Sequence, residues 1–580
     1  MANDALQISA GQHSDKGRKD SNQDFHGLVV PKEPQLSSKG IALALADGIS
    51  SSAVSHIAAQ AAVTSFLEDY YCTSEAWSVK TSAERILSAT NAWLHAQTQH
   101  SPHRYDMDKG YVCTLSALVL KSTTAHLFHV GDSRIYRLRG STLEQLTNDH
   151  RVWVANGQSY LGRALGITPQ LELDYQALAL EVGDIFILAT DGVYEPLAGH
   201  VLTALLQTHA ADLEQAARAL ADAALAAGSA DNLTVQIVRI DALPQQAMNE
   251  MVRELSGLPF PPLLEPRADF DGFTILRELK ASFRSHVYLA VDRDTGTRVV
   301  IKTPSIDLQT DPAYVERFLT EEWVARRIDS AHVLKPCLQT RKRHFIYVVT
   351  EFIDGQTLAQ WMIDNPKPTL EAVRGLVEQI GKGLQAFHRL EMLHQDLRPD
   401  NVMIDGNGTA KIIDFGSTRV AGLTEAAPLP GGDFEVLGTV QYAAPEYFLG
   451  ESGSTRSDIF SLGVLTYHLL TGRLPYGATV ARTRTRAAQA KLQYDSVLDD
   501  ERDIPAWIDG VLRKAVHTNP AKRYAELSEF LYDLRHPNQE FLSRTKPPLI
   551  ERNPLVFWKS VSALLAVTVI VLLAVVSRHS

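Results

Sequence analysis

Five prolines, Pro244, Pro259, Pro261, Pro262 and Pro266, fall between Asp241 and Phe270. Proline fixes φ and removes a backbone donor, so neither a helix nor a central strand runs through such a stretch. The chain is thereby cut into two separate folding problems, and 241–270 is expected to be a linker. A second run, with Pro537, Pro547, Pro548 and Pro554, is expected to close the second of them. With 580 residues in all, each part is long enough to bury a core of its own. At 45% hydrophobic and 21% charged residues, wholesale disorder and collagen-like repeats are excluded. The balance of 56 Lys plus Arg against 67 Asp plus Glu leaves a formal charge of -11, which repels a phosphate backbone, so nucleic acid is not an expected partner. Cys72, Cys113 and Cys337 lie far apart without metal-ligand spacing, which fits a reducing compartment and argues against a disulfide framework or a zinc knuckle.

The residues from Met1 to Asp20 contain no apolar run, so no secretory signal is expected. From Val561 to Val576 the chain reads VSALLAVTVIVLLAVV. Extended back to Leu555, a helix there would rise roughly 33 Å, against a hydrocarbon core of ~30 Å. Lys559 interrupts the extension, but a lysine near a helix end can snorkel to the headgroups. Arg544, Lys546, Arg552 and Lys559 precede the run, while Arg578 and His579 follow it. The positive-inside bias would then hold the preceding domains on the cytoplasmic side. The expectation is a juxtamembrane linker over 536–555 and a single C-terminal transmembrane helix over 556–576. The membrane would be a partner and the protein would sit at the cytoplasmic face of the inner (plasma) membrane.

In the first part, residues 1–240, apolar strands such as IALALADG and GDIFILATDG end in Asp-Gly. A strand of this kind delivers a carboxylate at its tip beside a backbone able to turn sharply, and oxygen ligands suit hard divalent cations. One Asp-Gly is ordinarily a turn. The ordered set is more informative: Asn22-Gln23-Asp24, Asp47-Gly48, His129-Val-Gly-Asp132-Ser133-Arg134, Gly183-Asp184 through Asp191-Gly192, and Gly228-Ser-Ala-Asp231-Asn232. This series resembles the metal-dependent protein phosphatases of the 2C class over nearly the whole first part. The resemblance implies a β-sandwich flanked by helices with a two-metal centre between the sheets. It also implies Asp24, Asp47, Asp191 and Asp231 as metal carboxylates and Gly48 as a carbonyl ligand, and Asp132 resembles the residue serving a third metal in bacterial members. Two Mg²⁺ or Mn²⁺ ions sharing a water would activate it against a phosphoester and offset the anionic transition state. The family's phosphate-binding arginine precedes the first box, where Arg18 and Lys19 are both candidates. Gln23 stands where the family carries Glu.

The second part, 271–535, carries another ordered series: Val299-Val300-Ile301-Lys302, Glu321 and Glu322, His394-Gln-Asp396-Leu-Arg-Pro-Asp-Asn401, Asp414-Phe415-Gly416, Ala444-Pro445-Glu446, Ser457-Asp458-Ile-Phe-Ser-Leu-Gly463, and Asn519-Pro-Ala-Lys-Arg523. Together these resemble the eukaryotic-type Ser/Thr protein kinases over a two-lobed domain. The resemblance implies that Lys302 neutralises the ATP phosphates and is held by Glu321. Asp396 would accept the hydroxyl proton, Asn401 and Asp414 would hold Mg²⁺, and Arg398 would stand beside the transferred phosphate. Glu446 and Arg523 are expected to pair in the lower lobe. The glycine positions of the loop over ATP hold Lys280, Ser282 and Ser285 instead, whose side chains crowd the approach of backbone N–H groups to phosphate. Lys280 and Ser282 are candidates to contact phosphate themselves.

The fold expected is multidomain α+β: a phosphatase-like sandwich, a two-lobed kinase fold and one C-terminal membrane helix. The function expected is a membrane-tethered enzyme that hydrolyses phospho-Ser/Thr on proteins and transfers the ATP γ-phosphate to protein Ser/Thr. Its cofactors would be Mg²⁺ or Mn²⁺ with ATP, and its partners phosphoproteins and protein substrates. The alternative is an active phosphatase carrying a pseudokinase scaffold.

Overall fold

The computed structural model describes residues 5–153, 159–244, 258–308, 311–337, 341–426, 441–498, 504–538, 541 and 554–579. The chain divides into two compact units, Met1–Gly257 with Val420–Gly431, and Leu258–Arg419 with Gly432–Ser580.

The first unit holds two antiparallel sheets. One joins β1 (Gln7–Asp15), β6 (Arg134–Arg139), β7 (Thr142–Gln145), β11 (Ile185–Ala189) and β12 (Leu233–Ala242) in the order β1-β12-β11-β6-β7. The other joins β2 (Phe25–Val29), β3 (Ile41–Ala46), β4 (Leu115–Lys121), β5 (Thr124–Val130) and β10 (Asp174–Ala179) in the order β10-β5-β4-β3-β2. The sequence of β3, IALALA, explains the layering. Ile41, Leu43 and Leu45 join Leu118, Leu120, Phe186, Leu188 and Val238 in a core contributed by both sheets. Ala42, Ala44 and Ala46 face the other way, against Ala58, Ala62 and Phe66 of α1 (Ser55–Cys72) and Leu87 of α2 (Val79–Gln99). Successive strand residues point to opposite faces, so large residues fill the sandwich while alanines let helices approach closely. The other sheet is covered in the same way by α3 (Leu213–Ala226), through Ala216, Ala217, Leu220 and Ala224. A separate hairpin pairs β8 (Arg151–Trp153) with β9 (Ser159–Leu161).

The second unit opens with an antiparallel sheet of β13 (Asp269–Phe270), β14 (Phe273–Ala281), β15 (Ser285–Asp292), β16 (Arg298–Pro304) and β17 (Val348–Glu351), paired in chain order. Beside it lies α4 (Pro312–Arg327), started by Pro312 and by the Asp311 side chain, which accepts from the Tyr314 amide. Aspartate at the N-cap followed by proline is a strong helix start. The rest is mainly helical, around α5 (Leu370–Arg389) and α6 (Thr455–Thr471). A capping box of Ser454 and Ser457 begins α6, whose flanks are buried almost all round.

The expected membrane helix is corrected here. A helix does form, α7 (Pro554–His579), but among the described residues no helix is long and apolar enough to cross a membrane. The C-terminal anchor, the membrane as a partner and the placement at the inner-membrane face all rested on that span, and none of them is supported.

Candidate active sites

Strand register brings the acidic residues of the first unit to one end of the sandwich. Phe25 pairs with Ala46, so Asp24 and Asp47 flank a shared strand end. Ala189 pairs with both Arg134 and Val235, which puts Asp191 beside the chain entering β6 and β12, where Asp132 and Asp231 lie. The close fit needs glycine at two points. A Cβ at Gly192 would lie 2.0 Å from the Asn232 carbonyl oxygen, and one at Gly48 would lie 2.8 Å from that of Gln23.

The cluster is electrostatically strained. Burial raises the Asp24 carboxyl to about 6, against hydrogen bonds from Thr234, Asp47 and Thr190. Asp47 is held well above its usual range by burial and by repulsion from Asp24, Asp191, Asp132 and Asp231. Asp191 is pushed up to about 7 by burial and then by Asp132 and Asp231. Asp24 Oδ1 is buried without a hydrogen-bond partner. Among the described residues no three acidic or imidazole groups converge as a finished ligand shell, and cationic side chains stand among the carboxylates instead. Lys19 Nζ contacts Asp231, whereas Arg18 is exposed. An all-oxygen, mutually repelling donor set with an orphaned buried oxygen fits hard divalent cations.

Three residues that the sequence reading left without a role hold this cluster. Thr190 Oγ1 donates to Asp24 Oδ2 at 3.1 Å. Asn232 accepts from the Gln23 amide at 3.0 Å and donates to the Lys16 and Ser21 carbonyls, stapling the 16–23 loop to the site. Arg151 spans Asp132, Asp191 and Glu195. Gln23 turns away from the acids and donates to Ser52 O and Ser55 Oγ at 2.7 and 2.9 Å, bracing the start of α1.

In the second unit, Lys302 on β16 donates to Glu321 Oε2 on α4 at 2.6 Å and lies 3.4 Å from Asp414 Oδ1. Burial opposes its charge, but Asp414 and Glu321 together raise its pKa. Burial lifts Glu321 to about 7 although Lys302 pulls it down. Asp414 ends below its usual range because Lys302 and the Gly416 amide outweigh burial. Glu322 is engaged elsewhere, with Arg326 and Arg343. Asn401 Nδ2 donates to Asp396 Oδ2 at 3.0 Å, and Arg398 Nε lies 3.7 Å from the same oxygen. Glu446 and Arg523 form a bidentate pair at 2.7 and 2.6 Å, buried, with Ser457 donating to Glu446 as well. The phosphate loop closes on itself. Ser282 Oγ donates to the Ser285 carbonyl at 2.9 Å and accepts from its amide at 3.0 Å, and the Ser282 amide donates to the same carbonyl. Two backbone donors are thus spent inside the turn, and Lys280 is exposed on β14.

A family profile described as Protein phosphatase 2C matches residues 12–234, and one described as Protein kinase domain matches residues 282–533. A protein phosphatase 2C-like domain is fused to a Ser/Thr protein kinase domain. The kinase half is similar to a probable serine/threonine-protein kinase of Streptomyces coelicolor, 32% identical over 43% of this chain and 37% of the relative. It is also similar to PrkC of Bacillus subtilis, 27% identical over 45% of this chain and 40% of the relative. The chain spans less than two thirds of the length of these curated relatives. The crystal structure of the Mycobacterium tuberculosis serine/threonine phosphatase PstP/Ppp matches 41% of this chain and 100% of that one, at 23% identity and a TM-score of 0.35.

Proposed function

We propose that the chain is a bifunctional signalling enzyme, removing phosphate from protein Ser/Thr in one unit and transferring it from ATP to protein Ser/Thr in the other. The observation that carries the kinase half is the Lys302–Glu321 ion pair with Asp414 in reach. Lys302 then offers a fixed charge to the α/β-phosphates and Asp414 an oxygen to Mg²⁺. Asp396, oriented by Asn401, accepts the proton of the attacking hydroxyl, and Arg398 neutralises charge on the moving phosphoryl group. In the phosphatase half, Asp24, Asp47, Asp191 and Asp231, with the Gly48 carbonyl, hold two divalent cations, and Asp132 serves a third. Bound there, the cations supply the Lewis acidity that activates water and the charge that offsets the phosphoester's anion. Lys19, at the cluster's edge beside Asp231, orients the substrate phosphate, and the exposed Arg18 is the alternative for that role.

A second reading, an active phosphatase with a pseudokinase scaffold, is favoured by the serine-closed loop, which withholds backbone donors from a nucleotide. Labelled-ATP incorporation into the full chain carrying Asp191→Asn separates the two. Phosphate that disappears when Asp396→Ala is added supports transfer, whereas nucleotide binding without incorporation supports the scaffold.

A further inference from the structure

Arg151 begins β8, the first strand of the β8–β9 hairpin, where it pairs with Leu161. Each nitrogen of its guanidinium is given to a different acid: Nε to Asp132 Oδ2 at 2.7 Å, Nη1 to Glu195 Oε1 at 2.6 Å and Nη2 to Asp191 Oδ2 at 3.1 Å. The three nitrogens are fixed in one small plane, so one guanidinium ties the three carboxylates together. The Arg151 and Asp132 side chains are only 19% and 13% exposed, and screening by water and salt is weak there. Two of the three acceptors, Asp132 and Asp191, are carboxylates expected to serve metal. A divalent cation bound by those two oxygens and a guanidinium bound by the same two would compete for the same lone pairs and repel each other.

We infer that Arg151 is a built-in competitor for the divalent cation at Asp132 and Asp191, so that filling this position requires the first residue of the hairpin to let go. The inference rests on the metal-centre reading above. Glu195, half exposed and not among the expected ligands, gives the displaced guanidinium a partner that the cation does not claim. Coupling of this kind is reciprocal: a cation entering the position loosens the hairpin, and anything that draws the hairpin away tightens the cation. A purely structural Arg151 would pin the hairpin without changing metal affinity.

The test is calorimetric titration of the full chain with Mn²⁺, with hydrogen exchange followed at the amides of Arg151–Trp153 and Ser159–Leu161. Arg151→Ala should tighten the weakest Mn²⁺ site tenfold or more, and Arg151→Lys, which keeps the charge without the fork, should tighten it less. In the unaltered chain, exchange in the hairpin should rise over the Mn²⁺ range that fills that site, and in Arg151→Ala it should be fast before any Mn²⁺ is added. Asp132→Asn should remove the weakest site. Tight ions retained with the weakest site unchanged within twofold in Arg151→Ala, or hairpin exchange indifferent to Mn²⁺, would overturn this inference alone. No Mn²⁺ bound by any form would overturn the metal centre and the inference together.

Discussion

Replacing Asp458 by alanine is expected to cost the kinase unit about 3–5 kcal/mol, the range for stripping one member from a buried charged network. It should also silence phosphoryl transfer without removing a reacting atom. Asp458 lies in the first turn of α6, fully buried, and accepts from His388 Nε2 at 2.9 Å and from the His394 and Gln395 amides at 3.0 Å each. Hydrogen bonds to a charged acceptor are worth about 1.5–3 kcal/mol each, and the losses overlap rather than add. The Gln395 amide sits in a left-handed conformation, φ 65°, which costs a non-glycine residue roughly 1–2 kcal/mol. Asp458 holds that strained turn, and Asp396 follows it directly. Burial raises the Asp458 carboxyl, but His388 and the backbone donors bring it below its ordinary value. A carboxyl lowered in the fold contributes its stability in full above its unfolded pKa, about 3.9, and loses it as pH falls through the lower folded value. The clamp is therefore complete at neutral pH and fails only in acid. The assay is pulse proteolysis of the full chain in urea, with fragments assigned to each unit, beside labelled-ATP incorporation in the Asp191→Asn background. Adding Gln395→Gly to Asp458→Ala should return roughly 1 kcal/mol by removing the strain. A stability loss below ~1 kcal/mol for Asp458→Ala, set against the 3–5 kcal/mol of a buried charged network, would refute the clamp.

Asp191→Asn should abolish Mn²⁺-dependent hydrolysis of a phosphothreonine peptide while leaving the fold intact, and full activity in that variant would defeat the metal assignment. Arg523→Met alone should destabilise the kinase unit by about 3–5 kcal/mol, because Glu446 is left buried and unpaired. The double change Glu446→Leu with Arg523→Met should recover most of that, and equal losses in urea midpoints would contradict the pair. Ser282→Gly should release the Ser285 amide and tighten MgATP binding by about tenfold, ~1.4 kcal/mol, with an unchanged dissociation constant counting against the serine-closed loop. In many kinases that the second unit resembles, an arginine directly before the catalytic aspartate holds a phosphate on the segment after Asp-Phe-Gly. Gln395 stands in that place and carries no charge, so the triple change Ser417→Ala, Thr418→Ala, Thr424→Ala should alter the initial kinase rate less than about threefold. A hundredfold loss restored by acidic residues would show another cation in that role.

The proline-rich break and the aspartates at strand tips could be read from the sequence because their signals are local. Alternation of large and small residues in IALALADG states which face meets the other sheet and which meets a helix. An aspartate directly after such a strand can only be at its tip, and antiparallel pairing then gathers tips at one end. Lys302 was readable as the end of an apolar strand, whereas the choice of Glu321 as its partner came from the resemblance to the protein kinases.

The C-terminal span was expected from one apolar run in the sequence, whereas among the described residues no helix is long and apolar enough to cross a membrane. What the sequence could not show is carried by contacts between distant residues. Nothing local marks Arg151 for two acids 19 and 40 positions away, and nothing marks Asp458 for a histidine 70 positions earlier. The one usable signal was an excess of acid: five carboxylates drawn to one end of the sandwich repel each other unless cations intervene. That imbalance calls for cationic side chains as well as metals, and position in the sequence suggested Arg18 and Lys19 alike, of which Lys19 meets Asp231. Arg151 enters on a hairpin outside both sheets, so its arrival is a property of the fold, and whether it yields to a divalent ion depends on the same repulsion that brought it there.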